Sequence, residues 1–268
     1  MIKNDCFTLY NGVKIPKVGF GTWQITDREE AIKSVCWALE AGYTHIDTAT
    51  VYRNESFIKE ALELAKADRS KLFITTKLPA SKKGYAVAME EFNDSLINLG
   101  LDYVDLYLIH APRPWGDTTD IDYMPANIES WKAMEELYKQ GKIRSIGVSN
   151  FNVEQLKQLM DATEIKPMVN QIKVHIGAKN QEIKDFCDKN GILVEAYSPY
   201  ATGKLFANEE VKKIADRYNV SMARLANRWC LQYGTLPLPK SVHQDRIIEN
   251  LDLDFEISEE DMKILTNL

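Results

Sequence analysis

The chain has 268 residues, of which 45% are hydrophobic and 27% charged, with 33 Lys and Arg against 39 Asp and Glu for a net charge of -6. These proportions belong to a globular protein and exclude disordered and collagen-like classes, while the acidic balance argues against a nucleic-acid or acidic-membrane partner. No apolar run approaches the roughly 20 residues that cross a bilayer, and scattered cysteines without a CxxC pair, behind an N-terminus lacking an apolar leader, point to a reduced, cytoplasmic protein.

FTLYNGVKIP reads as a β-hairpin, with Asn11-Gly12 supplying the two positive-φ residues of a tight type I′ turn. Eight short apolar runs follow: VGFGTW, THID, KLFITTK, YVDLYLIH, IRSIGVSN, PMVNQ, ILVEAYS and TLPLP. Amphipathic stretches separate them near 28–40, 55–66, 85–98, 128–139, 153–160, 181–189, 209–218 and 222–232. A last helix is expected in ISEEDMKILTNL, where Ser258 and Asp261 suit an N-terminal cap region. Strands rich in Val, Ile and Leu that alternate with helices pair in parallel through right-handed crossovers. The expected fold class is therefore α/β, a (β/α)8 TIM barrel with an N-terminal β-hairpin. No linker composition interrupts the alternation, so residues 1–268 are expected to form one barrel domain. The competing fold is an open doubly wound sheet, but its G-x-G-x-x-G turn is incomplete, because Gln24 stands where the third glycine belongs.

Three apolar runs each finish in an ionisable side chain: Asp47, Lys77 and His110. Each is one strand-helix unit from the next, which places all three at the C-terminal mouth of a barrel. Any one alone reads as a strand meeting water; three in register point to a site. Tyr52 follows Asp47 closely in the loop TATVYRNE and can hang over the same mouth. A nearby ammonium from Lys77 is expected to lower the phenol's pKa, Asp47 to keep Lys77 charged, and His110 to hydrogen-bond a substrate oxygen or relay a proton. Together the four form a general-acid site for a carbonyl oxygen.

In chain order, GYTHIDTATVYRNE, ITTKLP, LDYVDLYLIH, IGVSNF, VNQ, EAYSP and LPKSVHQDRIIEN cover nearly the whole sequence. The chain resembles the aldo-keto reductase family in these motifs, and within it the compact microbial, diketogulonate-type reductases. The resemblance implies a TIM-barrel oxidoreductase that uses NADPH (NADP+) without a Rossmann domain and reduces a small-molecule aldehyde or ketone to an alcohol. It implies a catalytic tetrad of Asp47, Tyr52, Lys77 and His110, with Tyr52 as proton donor. Ser149, Asn150 and Gln171 match residues that hydrogen-bond the nicotinamide carboxamide, Tyr197 matches the aromatic stacked on its ring, and Ser198 starts the pyrophosphate loop. Lys240, Ser241 and Arg246 match the grip on the adenosine 2′-phosphate, and Glu249 and Asn250 the contacts to adenine. A Lys and an Arg beside the last strand also form a basic spot suited to a dianionic phosphate. A monomer is expected from the same resemblance.

Substrate contacts depart from the pattern. Trp23 and His110 match pocket residues, but Ala111 and Pro79 stand where many relatives carry tryptophan, and Trp115 in APRPWGD is the candidate replacement. No proline follows His175, and the segment beyond the last helix is short, which in this family leaves the pocket open and its preference broad. Three rival readings stay open. His45, Asp47, His110 and His175 could be imagined as the metal site of a hydrolase, a reading that expects an ion where the reductase expects none. Lys77 could form a Schiff base, although its paired Asp47 opposes that. The barrel could also be a redox-sensing, nicotinamide-binding regulatory subunit with little turnover.

Overall fold

The computed structural model describes residues 2–268. Strands β1 (Cys6–Thr8) and β2 (Lys14–Pro16) form the antiparallel hairpin ahead of a parallel eight-stranded sheet. That sheet runs in chain order through β3 (Phe20–Gly21), β4 (His45–Asp47), β5 (Phe73–Leu78), β6 (Leu106–Ile109), β7 (Ile146–Ser149), β8 (Val169–Lys173), β9 (Leu193–Tyr197) and β10 (Leu236–Leu238). Its edges meet: Gly19 N–H donates to Pro237 O at 3.1 Å and Gly21 N–H to Pro239 O at 2.9 Å, joining β3 to β10. Closure pairs the two edges of the eight-stranded sheet and makes the fold a (β/α)8 barrel, not the open sheet. A glycine is needed at the seam, since a Cβ on Gly19 would stand 2.5 Å from the Leu238 side chain and 2.6 Å from His45 Nδ1.

The helices are α1 (Arg28–Ala41), α2 (Glu55–Leu64), α3 (Tyr85–Leu99), α4 (Met124–Lys139), α5 (Val153–Ala162), α6 (Gln181–Lys189), α7 (Glu209–Arg217), α8 (Met222–Gln232), α9 (Gln244–Glu249) and α10 (Glu259–Asn267). Local chemistry sets their ends. Asp27 caps α1 by accepting from Glu30 N–H at 2.9 Å, and α1 stops at left-handed Gly42. Asn152 and Gln155 close a reciprocal capping box on α5, and Ser258 caps α10 through Asp261 N–H. Buried Trp131, Phe92, Phe151 and Trp229 belong to the continuous apolar core that joins helices and barrel.

Three local expectations need correction. Asn11 is not in the left-handed region; Leu9 N–H donates to Val13 O at 2.9 Å and Gly12 N–H to Leu9 O at 2.8 Å. The hairpin thus turns through three residues with only Gly12 at positive φ, where Asn11-Gly12 predicted a two-residue turn. Helix α4 begins at Met124, a turn before 128, because Pro125 sits in its first turn, where a missing N–H costs nothing. Helix α9, six residues long, was not expected as an element.

Among the described residues no helix is long and apolar enough to cross a membrane.

Candidate active site

The barrel's stagger builds the site. Asp47 pairs in register with Thr75, two residues short of Lys77, and Lys77 pairs with Leu108, two residues short of His110. Each ionisable residue is therefore two steps further along its strand than its neighbour's partner, as strand tilt in a sheared barrel requires for side chains at one height. Steps of two keep all three on the inward face. Ser149, Gln171 and Glu195 are instead direct partners across β7, β8 and β9, which links them side by side.

Lys77 is wholly buried, and its Nζ donates to Asp47 Oδ1 at 2.7 Å and to Thr48 O at 2.8 Å. Burial opposes its charge, but the carboxylate beside it and the Tyr52 oxygen hold its pKa above the ordinary lysine value. Tyr52 ends a 3-10 turn, Thr50–Tyr52, pinned to β5 by Thr50 Oγ1 donating to Lys77 O at 3.1 Å. Its ring lies 5.1 Å from Lys77 Nζ, and its hydroxyl is 3.5 Å from His110 Nε2. The phenol's pKa was expected to fall beside the ammonium; instead burial raises it above the ordinary value and outweighs Lys77. Tyr52 is thus a neutral acid that holds its proton.

His110 follows β6 and is fixed by its own N–H to Leu78 O and by Asn150 Nδ2 donating to its carbonyl. Burial, then the Lys77 charge, push its pKa down to about 3, so the imidazole is neutral at pH 7. It can hydrogen-bond, but it is not a charged proton reservoir. Nδ1 has no hydrogen-bond partner among the described residues.

Beside the tetrad runs a polar chain. Tyr197 OH donates to Asn150 Oδ1 at 2.7 Å, Asn150 Nδ2 to Ser149 Oγ at 2.9 Å, and Ser149 Oγ to Gln171 O at 2.8 Å. The Gln171 amide nitrogen bridges Asp47 Oδ2 and Glu195 Oε2, each at 2.8 Å, which leaves its oxygen free to accept. After β9 the backbone turns sharply, with Ser198, Ala201 and Thr202 all in the left-handed region. Beyond β10, Lys240 and Ser241 lead into α9, which carries an exposed Arg246 and a half-buried Glu249. Neither Lys240 nor Arg246 forms a salt bridge among the described residues. Asn250 is buried, and its Oδ1 accepts from Tyr200 OH at 2.8 Å.

Two tryptophans flank the mouth. Trp23 is 46% exposed, next to Thr22, whose N–H and Oγ1 both donate to Asp47 O at 3.0 Å. Trp115 is 61% exposed yet meets the His110 ring edge-on, centroids 6.0 Å apart, so its loop does bring it to the site. His45 lies in the core with Nε2 at 2.9 Å from Thr75 Oγ1, while His175 bonds Ile176 O. Among the described residues, no group of three His, Cys, Asp or Glu side chains is placed to hold a metal ion.

Sequence reading missed two residues. Asn54, fully buried, donates to Thr22 O and Ile25 O and accepts from Thr48 Oγ1, tying the loops after β3 and β4 together. Its position in YRNE was a signal available in the sequence. Glu195, in EAYSP, is an acid within an otherwise apolar strand, the pattern that marks a buried polar group.

A barrel with this constellation at its mouth defines a class of oxidoreductase, and the profile of the Aldo/keto reductase family matches residues 17–268. The chain belongs to that family. It is 43% identical over 261 residues to glyoxal reductase of Bacillus subtilis, covering 96% of this chain and 90% of that one. To an aldehyde reductase of Saccharomyces cerevisiae it is 38% identical, covering 100% and 92%. An aldo/keto reductase structure from Brucella melitensis matches with a TM-score of 0.91 at 38% identity over 98% of both chains. An aldo-keto reductase of Bombyx mori in complex with NADP matches with a TM-score of 0.88 at 34% identity, covering 98% of this chain and 92% of that one.

Proposed function

We propose that this protein is an NADPH-dependent reductase that converts an aldehyde or ketone to an alcohol, with Tyr52 as general acid. The observation that carries the reading is Tyr52 itself, a half-buried neutral phenol with Lys77 Nζ 5.1 Å from its ring and His110 Nε2 3.5 Å from its oxygen.

The donor set at the mouth fits the cofactor. Lys240 and Arg246, without carboxylate partners, and the Ser241 hydroxyl suit a phosphate monoester, and the free Gln171 oxygen suits an amide N–H. Ser149, Asn150 and Gln171 would hold the carboxamide, Tyr197 the nicotinamide face, Ser198 the pyrophosphate, Lys240, Ser241 and Arg246 the 2′-phosphate, and Glu249 and Asn250 the adenine. When bound, the cofactor supplies the hydride that makes the carbonyl carbon an alcohol carbon. Asn150 must then share its Oδ1 between Tyr197 and the ligand.

The chain's own work is electrostatic and acidic. His110, neutral, orients the carbonyl oxygen beside Tyr52. As negative charge grows on that oxygen, Tyr52 gives up its proton, and the phenolate left behind is stabilised by the Lys77 ammonium. Asp47 keeps that ammonium charged. The pair also disfavours a Schiff base, because a protonated Lys77 is not a nucleophile.

Small aldehydes and α-dicarbonyls are the proposed substrates, in line with the relative named glyoxal reductase. Trp23 and Trp115 supply apolar walls. We place the enzyme in the cytoplasm as a monomer; its four free cysteines suit a reducing compartment. The test is absorbance at the reduced-nicotinamide band with NADPH or NADH against a panel of aldehydes, ketones and dicarbonyls. Multiple turnovers with NADPH on small aldehydes are expected. Oxidation of neither nucleotide across the panel would contradict the reading and favour a regulatory nicotinamide-binding role.

A further inference from the structure

Glu195 lies on the same inward face of β9 as Tyr197, one step deeper in the barrel. Its carboxyl group is fully buried, and its register partner Gln171 connects it to the tetrad. One amide nitrogen donates at 2.8 Å to Glu195 Oε2 and at 2.8 Å to Asp47 Oδ2. The two hydrogens of that group are thereby used, and Asp47 presents Oδ1 to Lys77 at 2.7 Å. The second Glu195 oxygen has no hydrogen-bond partner among the described residues and stands 4.0 Å from His45 Nε2, which is bonded to Thr75.

We propose that Glu195 is a positioning residue for the reduction: it fixes the Gln171 amide, which orients Asp47 and, through Asp47, the Lys77 ammonium beside Tyr52. This deepens the reading of Tyr52 as proton donor and rests on it.

The groups facing Glu195 are few. Gln171 comes from β8, apolar Leu236 from β10, His45 and Asp47 from β4, and the Lys77 charge from β5. His45 is neutral, its pKa pushed down to about 3 by burial and then by Lys77. Among the described residues the formal charges nearby are therefore Asp47 and Lys77, which balance while Glu195 keeps its proton. Burial, and next the Asp47 carboxylate, push the Glu195 carboxyl up to about 8, against the Gln171 hydrogen bond and the Lys77 charge. Ionising it adds an unbalanced negative charge beneath the tetrad. That charge opposes the phenolate at Tyr52 and so slows proton donation. The stability that the neutral acid confers has the matching sign: fully present below about 4.5, the ordinary value, and lost as pH rises through about 8.

The test compares wild type with Glu195→Gln, which keeps the shape and cannot ionise. Two readouts are taken from pH 5 to 9: the melting temperature of the cofactor-free protein, and kcat normalised to each enzyme's own value at pH 6. The wild-type melting temperature is expected to fall with rising pH and that of E195Q to fall distinctly less. At pH 9, E195Q is expected to retain roughly five- to tenfold more of its pH 6 kcat than wild type, the effect of one buried charge on a nearby acid. Glu195→Leu, which removes the acceptor, is expected to lower kcat about tenfold while leaving carbonyl KM within about twofold. Superimposable normalised pH profiles for wild type and E195Q would overturn the proposal, as would a Glu195→Leu enzyme that loses only thermal stability. Tyr52→Phe in the same assay separates the layers. If Tyr52→Phe is inactive while E195Q tracks wild type, the inference alone fails. A Tyr52→Phe enzyme with full turnover removes the proton donor and the inference with it.

Discussion

A lysine with no exposed surface is costly unless an acid neutralises it, and at Lys77 the Asp47 carboxylate does so at 2.7 Å. Removing one partner strands the other. Asp47→Asn is therefore expected to lower folding stability by about 3–5 kcal/mol, because Lys77 must then either stay charged without its counter-ion or give up its proton. The same variant should lose roughly 10²-fold in kcat, since a lysine that discharges no longer stabilises the Tyr52 phenolate. Urea unfolding and steady-state turnover on one preparation check both. Unchanged stability would show the pair to be far better solvated than its geometry indicates. That Asp47, Tyr52, Lys77 and His110 would meet at one mouth was legible in the sequence because three of them ended apolar runs one strand-helix unit apart. The direction of the Tyr52 shift was not: charge proximity predicts a lowered pKa, whereas the burial that overrides it depends on the packing of separate loops.

At the scale of elements, strand and helix succession was readable because period and length agree. Each of the eight strand runs overlaps a strand, with β5 and β8 running one and two residues past theirs, and 181–189 and 222–232 match α6 and α8 end to end. What escaped were features set by contact, not pattern. Gly12 alone takes positive φ because the hairpin uses a three-residue loop, and α4 starts early because proline is harmless in a first turn. Helix α9 is too short to show periodicity, yet it carries Arg246 with its guanidinium exposed. Arg246→Ala should raise the KM for NADPH roughly 10- to 100-fold, the loss of one or two charge-assisted hydrogen bonds, and leave that for NADH nearly unchanged. Equal effects on both nucleotides would remove Arg246 from the 2′-phosphate contact.

Across the whole molecule, closure of the barrel through Gly19 and Gly21 turns residues remote in sequence into one surface. Asp47 and Gln171 are separated by 124 positions yet meet at 2.8 Å. The stagger between strands, invisible in composition, sets the height at which Asp47, Lys77 and His110 converge. Motif spacing could name these residues but not reveal that Glu195 lies beneath them, because a lone acid in an apolar strand has no partner until the ring closes. The central claim is that the Tyr52 phenol is the acid of a nicotinamide-dependent carbonyl reduction. Turnover of Tyr52→Phe on an aldehyde, measured with NADPH affinity by fluorescence titration, tests it most directly. The account predicts a 10²- to 10⁴-fold loss of kcat with NADPH affinity within about twofold of wild type. Turnover within about threefold of wild type, with the nucleotide bound normally, would contradict it.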